Sequence, residues 1–167
     1  FTGKRVVDVG SGAGFPGMPL RILEPSINLT LLVSLGKRIT FLQGVCDRLG
    51  LKNVECVHAR AEEFAAQHRE SYDIATSRAV ASLPLLAELS LPLVKVGGYF
   101  VAMKAAKAQE EIDAAKSAIK TLGGKIIAEK SFSLSDGGER TLVIIKKISQ
   151  IPPKYPRPSA QIAKKPL

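Results

Sequence analysis

Lys4-Arg5-Val6-Val7-Asp8-Val9-Gly10-Ser11-Gly12-Ala13-Gly14-Phe15-Pro16-Gly17 reads as a strand running into a tight loop. The apolar, β-branched run through Val9 predicts a buried strand. Gly10, Gly12, Gly14 and Gly17 then predict a loop over Gly10 to Pro19 that turns sharply and lets a ligand approach the backbone. A glycine loop between a strand and a helix is the opening unit of a nucleotide-type α/β fold, so the remaining chain decides whether that fold is present.

It continues in kind. A short helix is predicted around Met18 to Leu23, a strand at Asn28 to Val33, and a helix at Gly36 to Leu49 with Ile39, Leu42, Val45, Cys46 and Leu49 at helical spacing. Strands follow at Val54 to His58 and Tyr72 to Ser77, then an apolar helix at Ser82 to Val94, a strand at Tyr99 to Met103 and an amphipathic helix at Gln109 to Leu122. Lys125 to Leu134 and Arg140 to Ile148 read as strands joined by a hairpin across Ser135-Asp136-Gly137-Gly138. Alternating strands and helices predict a doubly wound, Rossmann-like α/β fold with a mostly parallel sheet and an antiparallel C-terminal hairpin. Residues 1–148 form the domain. Residues 149–167, with Pro152, Pro153, Pro156, Pro158 and Pro166, read as an extended basic tail outside the core. Ligands in such folds sit at the carboxyl ends of the strands, near the switch point.

Composition narrows the partners. The chain has 167 residues, enough for one domain that buries about two thirds of its unfolded surface. Two cysteines exclude a disulfide scaffold and a multi-cysteine zinc site. No apolar run reaches the roughly 18 residues of a membrane span, and Phe1 to Arg5 carries no signal-peptide pattern. A reducing, cytoplasmic setting follows as the default; the sequence opens without Met, so an upstream segment is expected. The net charge of +9 is uneven: residues 1–100 hold 11 basic and 9 acidic side chains, residues 101–167 hold 13 and 6. From Lys146 onward there are six cations and no acid. A clustered basic field favours an anionic partner such as RNA, DNA or anionic lipid.

The register of the glycine loop separates two ligands. From Gly12 it fits the dinucleotide pattern G-x-G-x-x-G, which would make the chain a nicotinamide-dependent oxidoreductase. Pro16 and Pro19, however, remove amide donors a pyrophosphate needs, and Leu32 and Val33 stand where the ribose acid belongs. Asp8, two residues before Gly10, fits the alternative: an acid that orients the loop and faces the positive amino-acid part of S-adenosylmethionine.

Asp8 to Leu20 resembles the cofactor loop of the bacterial 16S ribosomal RNA guanine-N7 methyltransferases, the glucose-inhibited division protein B family. Ser34-Leu35-Gly36-Lys37-Arg38, Ala59-Arg60-Ala61-Glu62-Glu63, Ser77-Arg78-Ala79, Gly137-Gly138-Glu139-Arg140 and Pro153-Lys154-Tyr155-Pro156-Arg157 agree with it, the last in its Gram-positive branch. The resemblance implies methyl transfer from S-adenosylmethionine to a guanine of 16S rRNA, of the guanine(527)-N7 type, with the rRNA or the small ribosomal subunit as partner and no membrane. It implies that Asp8, Gly10, Gly12, Gly14, Phe15, Ala61, Glu62 and Arg78 serve the cofactor, with Arg78 close to the methyl-transfer position. Lys37, Arg38, Arg60, Lys104 and Arg140 are the candidates for phosphate and base contact. Two departures stand out. The family begins with a helical region before the first strand. It also carries an acid, holding the ribose hydroxyls, where Val33 stands here; losing such a bond costs about 1.5–3 kcal/mol, or roughly 10–150-fold in affinity. Ser34 is a partial substitute.

The other reactive residues read blandly. His58 and His68 have no partners at metal spacing, and Cys46 and Cys56 read as buried thiols. No cysteine stands near the loops after the fourth and fifth strands, as cytosine C5 methylation requires. Ser77-Arg78-Ala79 replaces the Asn/Asp-Pro-Pro-aromatic loop of exocyclic-amine methylation. Guanine N7 has an in-plane lone pair and needs alignment rather than a base. A non-catalytic RNA-binding module with a lost cofactor site, marked by Val33, is the remaining rival.

Overall fold

The computed structural model describes residues 1–167 apart from Ala79, Ala106, Lys107 and Asp136. The element order is β1 (Arg5–Val9), α1 (Gly17–Leu23), β2 (Asn28–Val33), α2 (Gly36–Arg48), β3 (Val54–His58), α3 (Ala61–Gln67), β4 (Tyr72–Arg78), α4 (Leu83–Ser90), β5 (Val94–Lys104), α5 (Ala108–Thr121), β6 (Gly124–Ser133), β7 (Glu139–Lys147) and α6 (Ser159–Lys164). One sheet runs β3-β2-β1-β4-β5-β7-β6. Strands β1 to β5 pair in parallel, and β7 lies antiparallel between β5 and β6. The doubly wound fold and the antiparallel hairpin are as the sequence predicts; the insertion of β7 beside β5 is an addition to it. The order reverses at β1 and β4, so the glycine loop leaving β1 opens at the switch point.

Strand β1 shows how the layers form. Val7 and Val9 face one apolar cluster, with Leu86, Phe100 and Ile112; Val6 faces the other, with Leu31 and Leu42. Period-2 alternation places Asp8 on Val6's side, fully buried. Helices α4 and α5 cover the first face; α1 and α2 cover the second.

Three elements differ from their sequence reading. Helix α4 stops at Ser90 and passes through a 3-10 turn, Leu91–Leu93, into β5. Pro92 lacks the N–H that a continuing helix requires. The buried Lys147 ammonium takes the freed Leu91 and Val94 carbonyls at 2.9 and 3.2 Å and pairs with Glu70 at 3.1 Å. Helix α3 is seven residues, too short to show a 3.6-residue period; Glu62 and Glu63 favour its N-terminal dipole end.

The third difference corrects the extended, uncovered tail. Ile151 and Tyr155 belong to the larger apolar cluster, and Ile162 on α6 is buried. Arg69 donates to the carbonyls of Tyr155, Ile151 and Pro152 at 2.6–2.9 Å. Arg157 grips the buried Glu88 through Nε and Nη2 at 2.8 and 2.6 Å. Prolines fix the tail's path while scattered apolar side chains bury. Ile151→Ala should therefore cost about 2 kcal/mol in urea denaturation; a loss below about 0.5 kcal/mol would return the tail to the solvent.

Candidate functional site

The loop from Gly10 to Gly14 is shaped by torsion. Gly10, Gly12 and Gly14 have φ of +71°, +61° and +97°, a region side chains avoid. It is then held from beneath. Asp8 Oδ2 accepts from Ser11 Oγ at 2.8 Å and from the Gly17 N–H at 3.0 Å; Oδ1 accepts from Thr76 Oγ1 at 3.3 Å. Burial pushes the Asp8 carboxyl up, against those three donors and the nearby Arg78 charge. Asp8 thus orients the loop, as expected, but its fully buried side chain lies under the loop. That corrects the expectation that it faces the cofactor's amino-acid part.

Above the loop lies a cleft of about 890 Å³. Gly10, Gly12, Phe15, Arg38, Arg78 and Arg140 line it, with Val33 at the end of β2 and Phe132 on the hairpin strand β6. Arg78 ends β4 with its guanidinium carbon 5.2 Å from the Phe15 ring centroid, a cation–π contact that holds the half-exposed ring at the rim. A Cβ on Gly12 would lie 2.9 Å from the Arg38 guanidinium, and one on Gly10 would lie 2.5 Å from Val80. Gly10→Ala should cost about 1–2 kcal/mol from its positive φ alone, read as a lower melting temperature; an unchanged melting curve would show that the loop relaxes.

A second cavity of about 230 Å³ adjoins it, sharing Gly10, Ser34 and Val80. Ala61, Glu62 and Arg60 line this one. The Glu62 carboxylate stands 3.8 Å from Arg60 and is largely covered. The two cavities together gather most of the expected cofactor residues. Asp8 and Gly14 are the exceptions: Asp8 is buried beneath the loop, and Gly14 is buried against Met18, so it serves the turn rather than the cleft.

The cations divide. Arg38 and Arg140 open into the larger cleft, Arg60 into the smaller, and exposed Lys37 lies outside both. Lys104 reaches the cleft wall but departs from its expected role. Its ammonium is buried and committed to the Ala81 carbonyl and to Glu111, each at 2.7 Å, clamping the loop after β4 to α5. Ala79 of the Ser77-Arg78-Ala79 motif lies outside the described residues.

Most of the bland readings have physical counterparts; Cys46 is buried as expected, whereas Cys56 is only partly buried. His68 stacks on Phe64 at 3.9 Å and contacts its carbonyl, and His58 contacts the Ser34 carbonyl. Burial pushes the Cys56 thiol up to about 12, far from a neutral-pH thiolate, and raises Cys46 as well. Among the described residues no three His, Cys, Asp or Glu side chains gather as a metal ion requires. No helix there is long and apolar enough to cross a membrane. The dinucleotide register loses its anchor, because the first amide of α1, Gly17 N–H, is spent on Asp8.

Comparison with known proteins agrees with this geometry. A family model described as GidB, rRNA small subunit methyltransferase G, matches residues 1–143. A "Ribosomal RNA small subunit methyltransferase G" of Lactobacillus acidophilus is 47% identical over 99% of this chain and 70% of its own length. Among solved structures, a 16S rRNA (adenine(1408)-N(1))-methyltransferase mutant from Catenulisporales acidiphilia superposes with TM-score 0.73 at 12% identity, covering 94% of this chain and 88% of its own. The [4+2]-cyclase SpnF gives 0.72 at 13% identity, covering 88% and 76%. At such identities the likeness shows the fold alone, and a cyclase sharing it makes the same point.

Proposed function

From the premise that this chain belongs to the rRNA small subunit methyltransferase G family, we propose that its larger cleft transfers a methyl group to N7 of a guanine in 16S rRNA. The family makes the chain an S-adenosylmethionine-dependent rRNA methyltransferase; the acceptor atom is our reading, and the cytoplasm is the expected place of action. The residues present fit that cofactor. The glycine loop leaves room where any Cβ would collide, Phe15 and Arg78 close the rim, and Ala61 and Glu62 edge the smaller cavity. S-adenosylmethionine, when bound, supplies an electrophilic methyl group on a sulfonium.

One observation carries the choice of N7: among the described residues, the titratable side chains lining the larger cleft are all cations, Arg38, Arg78, Lys104 and Arg140. N7 attacks through an existing lone pair and surrenders no proton, so alignment suffices and a base is superfluous. Arg38 and Arg140 hold phosphate, for which the guanidinium fork is suited. Arg78, braced on Phe15, is placed to orient the base.

Transfer of tritiated methyl to unmodified small-subunit rRNA, free and in assembled particles, tests the reading. Label on guanine N7 is expected. Label on a ring carbon or an exocyclic amine would overturn the assignment. Removing a phosphate contact should also flatten the salt dependence. Arg140→Ala should reduce the slope of log affinity for rRNA against log salt by about 1; an unchanged slope would place Arg140 off the phosphate path.

A further inference from the structure

We infer that the C-terminal helix α6 is a wall of the cofactor site, with Ile162 and Ala163 covering one face of the adenine. The inference rests on the cofactor assignment and adds to it a segment that follows the matched family region, residues 1–143. The smaller cavity is walled by Leu32 from β2, Ala61 from the start of α3, Leu85 and Leu89 from α4, and Ile162 and Ala163 from α6. Apolar walls with one carboxylate, Glu62, at the edge suit a purine: flat apolar faces to cover, and an amino group to donate a hydrogen bond. The cavity also shares Gly10 and Ser34 with the larger cleft, so a nucleoside there continues into the methyl-transfer space.

Helix α6 is fastened where that role needs it. Arg157, just before it, makes a two-pronged contact with Glu88, fully buried on α4 between the slot residues Leu85 and Leu89. Arg157 N–H also donates to Glu88 Oε1 at 3.0 Å. Ser159, at the start of α6, accepts from Arg60 Nη1 at 3.3 Å, across the mouth of the cavity. The clamp spans α4 and α6, the two helices that would sandwich the base. Arg157 is thus a positioning residue, acting through the helix it holds.

Calorimetric titration of S-adenosylhomocysteine and of 5′-methylthioadenosine into the chain and its Ala163→Trp variant tests this. Ala163 is exposed, so the indole fills the slot without entering the core. Both ligands should weaken together, on the order of 50-fold, because both carry the adenine, while the melting temperature of the free chain holds. On S-adenosylhomocysteine binding, the α6 amides of the wild type should exchange more slowly. Unchanged affinities in a folded variant, or α6 exchange indifferent to ligand, would overturn the wall. A wild-type chain that binds neither ligand would instead overturn the cofactor assignment beneath it.

Discussion

Asp8→Ala should lower stability by about 3 kcal/mol and weaken S-adenosylhomocysteine binding at least about 100-fold. The carboxylate satisfies the Gly17 N–H and the hydroxyls of Ser11 and Thr76, all buried. Alanine leaves three buried donors without this acceptor, each worth about 1–3 kcal/mol, offset in part because a desolvated charge disappears. The affinity loss has a different origin. Gly10, Gly12 and Gly14 have no side chains to pack, so the loop's position depends on Asp8 holding both its start, at Ser11, and the first turn of α1, at Gly17. Urea denaturation and calorimetric titration would read the two effects separately. A folded variant with wild-type affinity would show that glycine torsions alone set the loop.

The same residue makes a pH prediction through Asp8→Asn. Burial raises the folded-state pKa of Asp8 above its ordinary 3.8. A raised carboxyl pKa means that the folded state holds its proton more tightly than the unfolded state. The resulting stability is fully present below 3.8 and lost as pH rises through the folded value. The wild type should therefore gain on the Asn variant as pH falls from neutral towards 4. A difference that shrinks on acidification would reverse the sign and mean that the three donors outweigh desolvation.

What the sequence made legible followed from local rules. Positive φ at Gly10, Gly12 and Gly14 is a demand that composition announces, and alternating strands and helices announce the sheet. What it hid depends on partners far along the chain. Lys147 and Arg157 count among the six free cations from Lys146 onward, yet Glu70 and Glu88, both outside that stretch, neutralise them in the fold. The basic C-terminal field is correspondingly weaker than its charge count implies. Ile151, Tyr155 and Ile162 have no common period, since prolines interrupt the path between them. The burial of Asp8 was recoverable: alternation along β1 puts it on Val6's side, a signal that the glycine motif beside it obscured.

Val33→Asp should tighten S-adenosylhomocysteine binding by roughly 10–150-fold, the worth of a hydrogen bond to a charged acceptor of about 1.5–3 kcal/mol. Val33 closes β2 at the cleft wall, where the family resemblance calls for an acid to receive the ribose hydroxyls, and valine accepts nothing. The gain has a cost in the free chain. Val33 is only 4% exposed and packs in the cluster of Leu31 and Leu42, so a carboxylate there is partly desolvated until a ligand donates to it. The variant should melt lower than the wild type without ligand and recover more on saturation. Ser34 decides how large the gain is, because this exposed hydroxyl directly follows Val33 and lines both cavities. Ser34→Ala should therefore weaken binding more in the wild-type chain than in the Val33→Asp background, a coupling that a double-mutant cycle measures directly. Equal losses in the two backgrounds would remove Ser34 as the substitute. An affinity that fails to rise with aspartate would mean that the ribose is held from elsewhere in the cleft.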